Sequence, residues 1–238
     1  MKICVPSKNR AGKTQTQRIL KNAIFFVPKD EVKLYKNKIK NKIIEVPKKY
    51  NGITKTRNFI LKTYPNENIL FIDDDTRQAG YFDEGNRISF FKDDFNDILE
   101  KEFNRLFQVT KELGFKIWGA ETGGSKFANH SLTPFSFRGV INCSFLGLIN
   151  DGEFYFDENF EVKEDYEILL RHFKKKGGHL KVRHFFWSVK HWNNQGGCVD
   201  YRTDEMEKNC IEKLKKRYPF MIKKSNFQNE HQISIKWD

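Results

Sequence analysis

"ILFIDDDT" (residues 69–76) sets three carboxylates directly behind a short apolar run, in a chain of 238 residues whose formal net charge is +12. A run such as "ILFI", bounded by polar residues, reads as a buried strand. A buried strand fixes its own end, so Asp73, Asp74 and Asp75 project from a rigid edge. Adjacent carboxylates repel and titrate upward unless a cation joins them. A hard divalent ion with oxygen ligands, Mn2+ or Mg2+, relieves that repulsion and bridges to a substrate phosphate. The plainer role is an acidic loop capping nearby amides.

Upstream of the acids the chain alternates strand and helix signals. "KICVP" (2–6), "AIFFV" (23–27), "KIIEVP" (42–47) and "NILFI" (68–72) read as strands. Between them lie "TQTQRILKN" (14–22), a short amphipathic helix; "EVKLYKN" (31–37), with Asp30 as its cap; and "GITKTRNFILKTY" (52–64), with Thr54 as its cap. Such alternation with short connections predicts parallel strands in a sheet covered by helices. Ligands of such sheets sit outside the carboxyl ends of the strands. Both "PSKNRAGK" (6–13) and the three acids fall at carboxyl ends. The first of these loops offers amides and cationic side chains to a nucleotide base and its phosphates, through Pro6, Ser7, Lys8 and Arg10. Its single glycine excludes a P-loop or a dinucleotide fingerprint. Arg57, on the helix before the acidic strand, suits a phosphate or a surface ion pair.

The second half predicts a helix over 93–114, opened by Asp93 or Asp94 and closed by Gly114, then a strand at 115–120. One or two strands with a turn near Asn142 follow in "FSFRGVINCSFLGLI" (135–149). A helix in "VKEDYEILLRHFKKKGG" (162–178) closes at Gly177–Gly178, "HLKVRHFFWSVKHW" (179–192) is strand-like, and a last helix begins at 204. With no repeat and no long linker, these make a single α/β domain: a Rossmann-like mixed sheet flanked by helices.

Taken in order, these segments resemble a GT-A-type glycosyltransferase. In that family an Asp-x-Asp motif binds Mn2+ or Mg2+ and the diphosphate of a nucleotide sugar; Asp73 and Asp75 fill its two positions, with Asp74 between them beside the nucleotide. "VPSKNR" is similar to the family's nucleotide-base loop, and "GITKTRN" to its Gly-to-Arg-Asn segment facing the nucleotide. "FRGVINCSFLGLI" is similar to the strand beside the acceptor pocket. "FDENFEVKEDYEILLR" is similar to the acidic segment that supplies a catalytic base, which falls on Glu164 or Asp165. A late histidine that completes the metal shell falls on His191 in "VKHWNNQGG". The likeness runs over most of residues 1–197, and size and charge bring it nearest the phage glycosyltransferases associated with TET/JBP oxygenases, which modify hydroxymethylated pyrimidines in DNA. It implies a UDP-sugar donor, a nucleotide-sugar-binding half (1–76), an acceptor half (77–200) and a C-terminal helix and tail (201–238).

Charge fits a polyanionic acceptor. Residues 1–65 carry 17 Lys and Arg against 3 Asp and Glu, residues 66–170 carry 10 against 21, and the remainder 16 against 7. Basic ends flanking an acidic centre suit DNA as partner, although solvated lysines are an equal reading of charge alone. Phe185, Phe186, Trp187 and Trp192, close to basic residues, are candidates for stacking on a sugar or base. "NNQGGCVDYR" (193–202) suits a mobile lid. His179, His184 and His191 lack the matching ligands of a zinc site. The scattered Cys4, Cys143, Cys198 and Cys210 suggest reduced thiols, and the chain is expected to be cytoplasmic (host cytoplasm if phage-encoded), without a membrane span. Competing functions are glycosyl transfer to polysaccharide, lipid or protein; nucleotidyl transfer, which usually shows more glycine after the first strand; and non-catalytic nucleic-acid binding, which leaves the three acids unexplained.

Overall fold

The computed structural model describes residues 1–83, 86–89, 96–122, 133–189, 196–224 and 233–237. The four apolar runs of the first third form β1 (Lys2–Pro6), β2 (Ile24–Pro28), β3 (Ile43–Val46) and β4 (Glu67–Ile72). They pair in parallel in the order β3-β2-β1-β4. Helices α1 (Val32–Lys36) and α2 (Ile53–Thr63) lie in the crossovers. The chain steps outward from β1 to β3, then returns to the other side of β1 with β4. The carboxyl ends of β1 and β4 therefore border a topological switch point.

The chain continues through β5 (Thr76–Asp83), β6 (Asn86–Ser89), α3 (Asn96–Glu112), β7 (Ile117–Thr122), β8 (Phe135–Ser136), β9 (Phe145–Asn150), α4 (Glu164–Lys176) and β10 (Leu180–Val189). The sheet then reads β3-β2-β1-β4-β9-β7-β10-β5-β6, with β8 paired to β10. It is mixed: β9 runs antiparallel to both β4 and β7, while β7 and β10 are parallel.

Period-two alternation sorts the core. Ile3, Val5, Leu70 and Ile72 face one side, under Leu99, Phe103, Leu106 and Phe107 of α3. Cys4, Phe26, Ile69 and Phe71 face the other, under Ile60 and Leu61 of α2 and Ile168 and Leu169 of α4. Each fully buried side chain of this size contributes roughly 1.5–3 kcal/mol. α5 (Asp204–Arg217) and the hairpin of β11 (Ile222–Lys224) and β12 (Ile233–Ile235) form a third cluster with Leu170 of α4. Among the described residues no helix is long and apolar enough to cross a membrane. Cys4, Cys143 and Cys210 are free and buried.

Several local expectations are corrected. Residues 14–22 do not form an amphipathic helix; only Thr16–Arg18 makes a 3-10 turn. The reason is tertiary: the Thr16 hydroxyl donates to the Asp73 carbonyl (2.5 Å), and the Gln15 amide to that of Asp74 (2.8 Å). Thr54 is not the cap of α2. Gly52 takes that position at φ +100°, where a side chain would be strained, and the Thr54 hydroxyl donates to the Phe160 carbonyl at 2.6 Å. Asp30 lies in a 3-10 turn before α1 and makes no cap bond. Phe185, Phe186 and Trp187 are core residues, since β10 lies between β7 and β5 and is covered on its faces; the Trp187 indole donates to Thr76 Oγ1 at 3.0 Å. Asp93, Asp94 and Trp192 lie outside the described residues. The β5–β6 and β11–β12 hairpins were not foreseen.

Gly147 is paired across strands with Trp118, and a methyl group there would sit 2.0 Å from the indole nitrogen. Gly147→Ala therefore overpacks both strands and lowers stability by about 1–3 kcal/mol, to be read as a reduced urea midpoint at unchanged slope.

Candidate active site

The loop after β1 and the acidic loop after β4 are locked together by one carboxylate. Asp74, 3% exposed, accepts from the Ser7 hydroxyl and, at 2.5 Å, from Arg10 Nη1. Tyr35 of α1 shares the arrangement: its hydroxyl lies 2.7 Å from Ser7 Oγ and accepts from the Arg10 amide at 3.0 Å. Arg10 Nη1 also reaches Asp75 Oδ2 at 3.2 Å. The backbone of the acidic loop is held by Thr16 and Thr76, whose hydroxyls both donate to the Asp73 carbonyl. The three carboxylates thus stand on a frame that fixes main chain and side chain alike.

Across from them α4 opens with Glu164 and Asp165. Arg57 of α2 donates through Nη1 to Glu164 Oε1, and its Nη2 lies 3.8 Å from Asp73 Oδ1. Asp165 Oδ1 accepts from the Tyr166 amide at 2.9 Å. The three acids, Ser7, Arg10, Arg57, Glu164 and Asp165, with Pro6 and Lys8, border one cavity of about 780 Å3 at the switch point. Every site residue expected from the sequence lies there except His191, which is outside the described residues. Their present engagements differ, however. The Ser7 hydroxyl and Arg10 are turned toward Asp74, while Lys8 Nζ donates to Asn51 Oδ1 at 3.0 Å.

The electrostatics follow first from burial, and then from the neighbouring charges. Burial pushes Asp73 up to about 7; Arg57 opposes this, and Asp75 and Asp74 add to it. Burial likewise pushes Asp74 up to about 6, against Arg10 and the Ser7 hydroxyl. Glu164 is also raised by burial, against the pull of Arg57. The Cys143 thiol in the cavity wall is raised well above its ordinary value by burial, which makes it a poor nucleophile. Among the described residues no group of three or more histidine, cysteine or carboxylate side chains is placed to hold a metal ion by itself. Carboxylates that cannot all ionise comfortably are nevertheless the donor chemistry of a hard divalent cation, bound by one or two acids together with substrate phosphates. Asp73 fits that use best, with 36% of its side chain still open.

Sequence reasoning gave no role to Tyr35 or Glu207, and took residues 193–202 only as a mobile lid. Tyr35 gave no signal beyond a helix position. The Gly196–Gly197 pair packs on the β1 loop: Arg10 Nη2 donates to the Gly196 carbonyl (3.2 Å), and the Gly197 amide to that of Lys8 (3.0 Å). A Cβ at Gly196 would stand 2.8 Å from Arg10 Cγ and from the Asn9 carbonyl, so the glycine permits the approach. Asp200 ties this segment down, accepting from Asn9 Nδ2 (2.6 Å) and the Gly196 amide (2.9 Å). Residues 196–200 of the expected lid are therefore anchored in this structure. Tyr201 and Arg202, just before α5, and Glu207, in its first turn, complete the wall.

A family model described as TET-Associated Glycosyltransferase matches residues 1–197. No curated protein sequence matches the chain. Similar solved structures include S. aureus TarS 1-349 in complex with UDP-GlcNAc, 14% identical at TM-score 0.53, over 90% of this chain and 67% of that one. Mannosyltransferase PcManGT from Pyrobaculum calidifontis, in complex with GDP-Man and Mn2+, is 9% identical at TM-score 0.54, over 90% and 64%. Glucosyl-3-phosphoglycerate synthase from Mycobacterium tuberculosis is 11% identical at TM-score 0.53, over 99% and 85%. At such identities the likeness speaks for the fold, that of GT-A glycosyltransferases.

Because Asp73 titrates near 7 in the folded chain and near 3.9 when unfolded, the proton is held more tightly by the fold. The stability this gives is present at acid pH and lost as pH rises through 7. Asp73→Asn removes that loss. In metal-free buffer at pH 8 the variant melts above wild type, and the gap closes toward pH 4. Equal melting at pH 8 would contradict the strain assigned to Asp73.

Proposed function

This chain belongs to the TET-associated glycosyltransferase family, and we propose that it transfers a sugar from a UDP-sugar to the hydroxyl of a 5-hydroxymethylpyrimidine in DNA, with Mn2+ or Mg2+ at the acidic loop. One observation carries the reading. A basic loop and a triple-acid loop, from the carboxyl ends of β1 and β4, meet in one cavity with a second acidic pair opposite.

Asp73 and Asp75 would hold the cation, with His191 as a further ligand; when bound, it supplies charge neutralisation for the departing diphosphate. The residues of the chain do the rest. Pro6 and Ser7 shape the floor for the base and ribose. Asp74 keeps the β1 loop in register with the acids. Lys8, Arg10 and Arg57 bring fixed positive charge to the wall where the diphosphate would lie. Glu164 holds Arg57 in place. Asp165, at the positive end of α4, takes the proton from the attacking hydroxyl, which then adds to the anomeric carbon as the bond to the diphosphate breaks. Displacement from the opposite face inverts the anomeric centre. The basic flanks would grip the acceptor's phosphates, with affinity falling steeply as salt rises.

The first experiment is thermal denaturation with a panel of nucleotide sugars, with and without Mn2+. A UDP-sugar raises the midpoint only with metal, and Asp75→Ala abolishes the shift. Duplex DNA bearing hydroxymethylcytosine then gains one hexose or pentose by mass. Asp165→Asn keeps the donor shift but transfers roughly 100- to 10,000-fold more slowly. Binding of a donor with transfer only to polysaccharide, lipid or protein would replace DNA as the acceptor.

A further inference from the structure

Lys163 stands directly before Glu164 and Asp165 with φ +61° and ψ +19°, a left-handed backbone. Among the described residues the other non-glycine positions with positive φ are Asn9 and Asn66. Asparagine tolerates this conformation through local hydrogen bonding, whereas lysine gains nothing from it by itself. The strained residue is the N-cap of α4, yet its side chain makes no cap bond. Its ammonium lies 3.0 Å from Glu207 Oε2 on α5, with the two side chains 9% and 3% exposed. It also passes over the Tyr166 ring at 5.4 Å.

Glu207 is itself fixed. Arg202 Nε donates to its other oxygen, and the Thr203 hydroxyl caps α5 by accepting from the Met206 amide at 3.2 Å. The buried Glu207 carboxylate thus stands between two cations, and releasing Lys163 would leave its Oε2 buried without a charge partner. Residues 201–207 lie beyond the segment that carries the family likeness, so nothing in that likeness assigns them a role.

We propose that Glu207 is a positioning residue for Asp165: by holding Lys163 in its left-handed turn, it sets where α4 begins and so where Glu164 and Asp165 face the cavity. This rests on the reading of Asp165 as the base. Glu207 takes no proton and touches no reacting atom in this role; it acts through the backbone of residue 163.

The test compares Glu207→Gln, Lys163→Met and Lys163→Arg with wild type. The donor is the UDP-sugar giving the largest thermal shift, the acceptor is hydroxymethylcytosine DNA, and the temperature lies well below every melting midpoint. Glu207→Gln keeps shape and loses charge. Lys163→Met keeps the length of the side chain but loses the ammonium, so nothing holds the left-handed backbone, and it serves if Glu207→Gln does not fold. Both are expected to lower kcat about 10- to 100-fold, as small misplacements of a catalytic group do, with donor KM and donor thermal shift within about twofold of wild type. Lys163→Arg keeps the tether and stays close to wild type. Variants that melt earlier yet keep kcat overturn the proposal and leave a merely structural ion pair. A raised donor KM at unchanged kcat overturns it in favour of direct substrate contact. Wild type that binds and transfers from no donor overturns the reaction proposed above, and this inference with it.

Discussion

The site depends on the buried carboxylate of Asp74. An isolated charge at such a place costs several kcal/mol, so it exists only because a hydroxyl and a guanidinium are brought to it. Ser7 and Arg10 supply them from the loop after β1, and Tyr35 steadies both. The interaction joins two loops that the parallel sheet would otherwise only set side by side. Asp73 and Asp75 inherit their positions from it, since they flank the pinned residue on a backbone held by Thr16 and Thr76.

The mixed sheet explains why an acidic centre sits between basic ends. The parallel strands deliver a basic loop and an acidic one to the same edge. The antiparallel β9 follows a connection that brings Asn142, Cys143 and Ser144 to the wall beside them, and the Asp73 amide donates to the Ser144 carbonyl at 3.3 Å. Acidic residues of the central segment, Glu164 and Asp165, then face the first group across the cavity. Most local charges are answered by a named partner: Arg57 by Glu164, Lys163 by Glu207.

Much of this was legible in the sequence, for identifiable reasons. β1 to β4 announce themselves as apolar runs, and their parallel pairing follows from the short helical crossovers between them. The three acids could be assigned to a strand end because "ILFI" leaves no other reading. What escaped was decided by partners distant in sequence. Residues 14–22 have helical periodicity, yet Thr16 is taken by Asp73, 57 residues away. Thr54 looks like a cap until Phe160 claims its hydroxyl. Aromatic residues beside lysines and arginines in β10 looked suited to stacking, but alternation along a covered strand buries them. Glu207 carried no signal at all, because an acid in the first turn of a helix is ordinary.

The wall contributed by α5 bears on how the protein comes into being. Chains fold from the N-terminus as they are synthesised. The parallel strands and their two loops depend on the first 76 residues, with Tyr35 and Thr16 already present to organise them. β9 and α4 begin about 70 and 90 residues later, and Glu207 comes later still. On the ribosome, a nascent chain thus carries its acidic edge long before the opposite face is set. The order of synthesis itself separates the appearance of the acidic edge from the completion of the enclosure.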